Sequence, residues 1–191
     1  MRDLGITSSV APLVPEALVP VIAAITFLGS PTFLAVAATA GSGLGTYLGM
    51  VDRRRALRLL ATVFLVFGAS MVVKNGLGLP RPPTALHRVA EDGFGFPSGH
   101  ATATTGVSLA TAALSRWRTP RWRYGLAATA IAVIAATRVL LGVHYLVDTV
   151  AGVVVGAGAV WVGLTLSRRH LARTVALAGL FVGTGLVLKL G

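Results

Sequence analysis

The sequence predicts an all-α fold: a polytopic bundle of transmembrane helices with about six spans. Three observations carry that prediction. Of the 191 residues, 54% are hydrophobic and only 12% are charged, whereas a soluble domain is about a quarter charged, so a water-facing surface cannot be built from this composition. The apolar residues fall in stretches close to the length that crosses a bilayer. The charges between them are sorted: three arginine-rich loops fall on one side, while Lys74, Arg81, His100, Arg138 and His144 fall on the other. Hydropathy alone does not force that agreement.

Taken in order, residues 1–12 read as a short, weakly structured tail, and no cleavable leader is expected in them. Residues 13–29 are apolar but carry Pro15, Glu16 and Pro20, and they fall short of the roughly 20 residues of a full crossing. They fit either a short span or a helix lying in the interface. After the break at Gly29-Ser30-Pro31, residues 32–50 form the first span. Asp52, Arg53, Arg54, Arg55 and Arg58 follow as a loop that the positive-inside rule puts in the cytoplasm. Residues 57–75 return and deliver Lys74 to the opposite side. Residues 76–96 form a Gly/Pro-rich loop with Arg81, His87, Arg88, Glu91 and Asp92. The helix opened by Pro97 runs to about Leu114 and leads into a second basic loop, Arg116 to Arg123, where Trp117, Trp122 and Tyr124 suit an interfacial belt. Residues 125–141 bring Arg138 to the far face. A span from His144 to about Leu166 follows, with Trp161 expected to pack inside it. Arg168, Arg169, His170 and Arg173 make the third basic cluster, and residues 174–190 a last, scaffold helix. Three glycine pairs at four-residue spacing, Gly41/Gly45, Gly152/Gly156 and Gly179/Gly183, would let helices approach closely.

Composition also excludes function classes. There is no cysteine, so disulfide and thiolate–metal frameworks are absent. Net charge is +11, and 15 of the 17 basic residues are arginine. Arginines clustered between apolar stretches suit anionic lipid headgroups, and with aromatics at 7% base-stacking surfaces are scarce. Membrane lipids are the expected partners, and nucleic acid is not.

Chemistry concentrates on the side away from the basic loops. In Phe96-Pro97-Ser98-Gly99-His100, Pro97 suits the first helical position. The amides of Ser98 and Gly99 would then be free, Gly99 would leave room for a ligand, and a helix N-terminus attracts anions. His100 adds a group that exchanges protons near neutral pH. By itself the segment fits either an anion site or an ordinary capped helix start. Asp148 lies four residues after His144, on the same helical face. There its carboxylate can hold one ring nitrogen and leave the other free to attack or take a proton, or the pair can simply join helices. Lys74, Arg81 and Arg138 would converge near the same helix end, where they are costly together unless an anion neutralises them; guanidinium forks and an ammonium suit phosphate. Glu91 and Asp92 are expected to be solvated loop residues, as is His87.

These segments form a recognisable set: Lys74 with Arg81-Pro82, then Pro97-Ser98-Gly99-His100, then Arg138 with His144 and Asp148. The set resembles the three-part signature of the type 2 phosphatidic acid phosphatase (PAP2) superfamily, which includes vanadium haloperoxidases. The motifs span residues 74–148, and the flanking spans look like those of the family's small integral-membrane members. One departure is Thr137, where the family usually has serine before the arginine. The resemblance implies a PAP2-type core over a single domain, residues 1–191. It implies a metal-independent lipid phosphatase, without cofactor, acting on phosphomonoester or diphosphate groups of phosphatidic acid, phosphatidylglycerol phosphate or an isoprenyl diphosphate. His144 would form a phosphohistidine, Asp148 would orient it, and His100 would serve the leaving oxygen and then water. Lys74, Arg81, Ser98, Gly99 and Arg138 would hold the phosphoryl group. The site would lie on the extracytoplasmic side of the cell membrane. Two other readings use the same residues: a non-catalytic lipid-phosphate binding or transport module, and a vanadate-dependent haloperoxidase.

Overall fold

In the computed structural model, which describes residues 5–190, eight α-helices follow one another and no strand occurs among the described residues. They are α1 (Ile6–Val10), α2 (Val19–Phe27), α3 (Pro31–Tyr47), α4 (Arg53–Leu77), α5 (Gly99–Leu114), α6 (Pro120–Leu140), α7 (Leu146–Arg169) and α8 (Leu171–Leu190). Their starts follow from local chemistry. Ser30 accepts the Phe33 amide at 3.2 Å, with Pro31 in the first turn of α3. Asp52 accepts the Arg55 amide at 2.9 Å to open α4. Each side-chain oxygen satisfies an amide that the helix itself cannot.

Helices α4, α6, α7 and α8 are long and apolar enough to cross a membrane. The other two expected spans are shorter. α3 has 17 residues and α5 has 16, about 26 and 24 Å at 1.5 Å per residue, against a hydrocarbon core of about 30 Å. Within the segment 13–29, a 3₁₀ turn at Glu16–Leu18 leads into the nine-residue α2. The stretch Glu16–Phe27 is bent by 93° from Ile6–Leu13, so the two could serve only as a broken span or a re-entrant element, giving up to five spans. The prolines at 12, 15 and 20 interrupt the backbone ladder there.

Part of the expected tail is also ordered. Thr7 on α1 is buried and donates its hydroxyl to the His144 carbonyl at 3.1 Å, and Ala11 is fully buried. Positions 1–4 lie outside the described residues.

α5 sits among α3, α4, α6 and α7, while α8 lies along α4. Val66, Ala110 and Val160 form the core where α4, α5 and α7 meet. One glycine pair acts as expected: a Cβ on Gly152 or Gly156 would stand 2.7 Å from the Ser98 carbonyl oxygen or 2.8 Å from that of Thr102, so α7 lies directly against α5. The other pairs do not. Gly41, Gly179 and Gly183 face open space, and Gly45 meets only Val51. The close approach of α8 to α4 instead uses Gly68, against Phe181, and Gly185, against Met71. Trp161 does not pack inside: it is 72% exposed.

The loop between α4 and α5 is tied down over the α6–α7 turn. Arg88 donates its amide to the Leu141 carbonyl at 3.0 Å, and its guanidinium reaches the Val14 carbonyl and Glu16. His87 is not merely solvated: its Nε2 lies 3.0 Å from the Pro82 carbonyl, a contact in which the ring must donate. Gly142, at φ 70°, has no room for a side chain, because a Cβ would collide with the Leu86 carbonyl.

Candidate active site

The folded loop brings Arg81 onto the start of α7. Arg81 Nη1 lies 3.0 Å from His144 Nε2 and also donates to the Val143 carbonyl at 3.2 Å. Its Nη2 and Nε reach the Asp92 and Gly93 carbonyls. A guanidinium only donates, so Nε2 of His144 must be the unprotonated nitrogen. The ring proton then sits on Nδ1, which faces Asp148 Oδ2 at 3.6 Å. That gap is too long for a hydrogen bond. Asp148 itself caps α7, accepting the Tyr145 amide at 3.0 Å. Burial first, then Arg81, Arg138 and Lys74, push the His144 imidazole well below its ordinary pKa.

Arg138, at the end of α6, is 1% exposed. It donates to Thr26 of α2 at 3.2 Å and is paired with Glu91 through Nη2. Glu91 also meets Arg81 Nη2 at 3.2 Å. The expectation that Glu91 is a solvated loop residue is therefore overturned: its carboxylate bridges the two arginines. Burial alone would raise its pKa, but Arg138 and then Arg81 outweigh burial and hold the carboxyl below its usual range. Asp92 is exposed, as expected. Charge accounting could have found Glu91, since three converging cations demanded an anion and this loop held the nearby carboxylates. Thr26 gave no sequence signal of its role.

At the start of α5 the detail differs from expectation. The helix begins at Gly99 with Ser98 as its N-cap, so Pro97 precedes the helix. The Ser98 amide is not free: it donates to the Asp148 carbonyl at 2.9 Å, joining α5 to α7. The Ser98 hydroxyl is fully buried without a hydrogen-bond partner among the described residues, as is the Arg138 Nε. Unpartnered buried polar atoms are rare, and here two of them belong to residues linked directly to Asp148 and Glu91. His100 lies within electrostatic reach of Arg138, Glu91, Arg81 and Lys74. Lys74, near the end of α4, donates to the Phe94 carbonyl at 2.8 Å. A Cβ on Gly99 would lie 4.0 Å from Lys74 Cε. The Thr137 hydroxyl is turned back onto the Ile134 carbonyl at 2.7 Å.

Residues 55–172 match the family model of the PAP2 superfamily. The chain belongs to the PAP2 superfamily. Its fold is similar to that in the "Crystal structure of the first transmembrane PAP2 type phosphatidylglycerolphosphate phosphatase from Bacillus subtilis", with a TM-score of 0.69, 24% identity, and coverage of 87% of this chain and 84% of that one. Among curated PAP2 relatives, it is 36% identical over 105 residues to decaprenylphosphoryl-5-phosphoribose phosphatase of Mycolicibacterium smegmatis. That alignment takes in 52% of this chain, which spans 53% of the relative's length.

Proposed function

We propose that the chain is one membrane-embedded phosphatase domain that removes a terminal phosphate from an anionic lipid. The observation that carries this is the Arg81–His144–Asp148 alignment, which leaves Nε2 of the buried imidazole as the attacking lone pair. Arg81 Nη1 covers that lone pair at 3.0 Å. A phosphoryl group entering the cradle takes over the Arg81 and Arg138 forks from Glu91 and uncovers Nε2. The buried hydroxyl of Ser98 is a donor suited to a phosphoryl oxygen.

In the reaction, Nε2 attacks phosphorus, the bond from phosphorus to the lipid oxygen breaks, and His100 gives that oxygen its proton. Water then attacks the phosphohistidine and gives a proton to His100, and the phosphorus–nitrogen bond breaks to release phosphate. Asp148 stabilises the imidazole while it carries positive charge. Lys74, Arg81 and Arg138 stabilise the charge on the phosphoryl oxygens. No step calls for a metal or cofactor.

A cavity of about 830 Å³ supports a lipid substrate. It runs between α3 and α4, past Ala35, Val36, Phe67 and Met71, to Lys74 and Gly99. Apolar walls ending at a cation suit an acyl or prenyl chain below a phosphate. Both relatives' names carry lipids with a phosphorylated headgroup, decaprenylphosphoryl-5-phosphoribose and phosphatidylglycerolphosphate. Candidate substrates are therefore phosphatidic acid, phosphatidylglycerol phosphate and isoprenyl diphosphates.

The test is phosphate release by the purified chain in detergent, with chelator present, from a panel of these lipids. Turnover is expected from wild type and loss to background from His144→Ala. Unimpaired turnover by that variant would remove His144 as the nucleophile. Tight binding with no turnover of any lipid would favour a binding module, and vanadate-dependent peroxidase activity would favour a haloperoxidase.

A further inference from the structure

The other end of the bundle holds a second basic site that the proposed reaction does not use. Arg55 and Arg58 at the start of α4 lie about 28 and 24 Å along that helix from Lys74, at 1.5 Å per residue. With Arg116, Arg123 and Arg168 they line an open cavity of about 680 Å³ between the ends of α4, α5, α6 and α7. All three basic loops thus contribute to one concavity.

Three features separate it from a ring of arginines reaching into solvent. No carboxylate among the described residues lines it, and the nearby Asp52 is already engaged by Arg55, through both its amide and its guanidinium. Arg58 and Arg123 are also partly buried: the Nε of Arg123 is buried and has no hydrogen-bond partner among the described residues, while the Nε of Arg58 meets the Ser167 hydroxyl at 3.3 Å. A buried guanidinium donor without a partner is costly. Finally, the wall is mixed, with exposed Trp161 and part-buried Leu164 beside the cations. A free anion makes no use of an apolar wall, whereas the glycerol and first methylenes beneath a phosphate do.

We propose that this cavity binds the phosphate of an anionic phospholipid headgroup, seated on Arg58, Arg123 and Arg168 with its glycerol against Trp161. Basic pockets between helix ends at a membrane surface are suited to such headgroups. Free inorganic phosphate shares the recognising chemistry and is the competing source. The inference stands on this cavity alone and survives failure of the phosphatase reading.

The experiment follows thermal unfolding of the full chain in uncharged detergent during titration with short-chain phosphatidylglycerol, short-chain phosphatidylcholine or inorganic phosphate. Phosphatidylglycerol is expected to raise the midpoint saturably, with phosphatidylcholine and phosphate far weaker. Arg116→Gln/Arg168→Gln, at two exposed positions, is expected to weaken the apparent affinity at least tenfold, and Arg123→Gln to do the same by itself. Arg53→Gln, at an exposed arginine that does not line the cavity, is expected to leave the titration unchanged. An undiminished shift in both pocket variants, or its loss in Arg53→Gln, would overturn the proposal. An equal response to inorganic phosphate that disappears in the pocket variants would overturn the lipid assignment and leave a phosphate site.

Discussion

At the scale of single residues, the site is an electrostatic balance, and Glu91 is the piece that closes it. Arg138 is almost wholly enclosed, and the carboxylate shared with Arg81 supplies its charged partner. Breaking a buried pair by removing one partner costs about 3–5 kcal/mol, because the other charge is left uncompensated. Glu91→Ala is therefore expected to lower the unfolding midpoint in phosphate-free buffer, and added phosphate should restore it by more than it raises wild type. Equal phosphate shifts in the two proteins would mean that Glu91 does not stand where the substrate anion binds. His144 gives a second prediction. Its folded imidazole is held well below the ordinary value, whereas the unfolded one takes up a proton near pH 6.5, so the unfolded chain binds more protons below about that pH. Stability should fall as the pH drops from 7 to 5, by at most about 1.4 kcal/mol per unit for this one group. Unfolding of His144→Gln over the same range should give a flatter slope, and parallel slopes would contradict a neutral buried ring. Lys74, Arg138 and Asp148 were legible because they lie near helix ends at one level of the bundle, and Arg81 and His144 sit in the loop and turn beside those ends. Glu91 was legible only as one of two loop carboxylates, because its partners lie ten and 47 residues away and are reached through an irregular loop.

At the scale of elements, the same kind of glycine does different work depending on what faces it. Gly152 lies against the Ser98 carbonyl at the start of α5, and Gly179 faces nothing within 4 Å. Adding a methyl at a filled site costs about 1–3 kcal/mol. Gly152→Ala is expected to destabilise by that much and to weaken phosphate binding, since it pushes α7 away from the segment that holds Ser98 and His100. Gly179→Ala should be near neutral or slightly stabilising, because alanine is the better helix former. Thermal unfolding of the two variants side by side decides it; equal losses would mean that the α5–α7 contact is not the tight one. The sequence supplied three such pairs of equal merit and no means of choosing, because which face a stripe meets is decided by neighbours far along the chain. The short helices obey the same limit. Apolar length was readable from composition, but the bend between Ile6–Leu13 and Glu16–Phe27 depends on packing against α6 and the α6–α7 turn.

At the scale of the whole molecule, the bundle separates two positively charged ends by the length of α4 and α7. The three basic loops converge on the cavity at one end, while Lys74, Arg81, Arg138 and His144 share the other. Arginine-rich short loops are retained in the cytoplasm, so the candidate active site should face outward, where its lipid phosphates would be met in the outer leaflet. The chain has no cysteine, so single introduced thiols report position without background. Thr84, in the loop over the site, and Thr119, in the second basic loop, are both exposed. A membrane-impermeant maleimide should label Thr84→Cys in intact cells and Thr119→Cys only after the membrane is permeabilised. The reverse pattern would turn the protein over, put the arginine-lined cavity outside, and confine the proposed substrates to lipids of the inner leaflet.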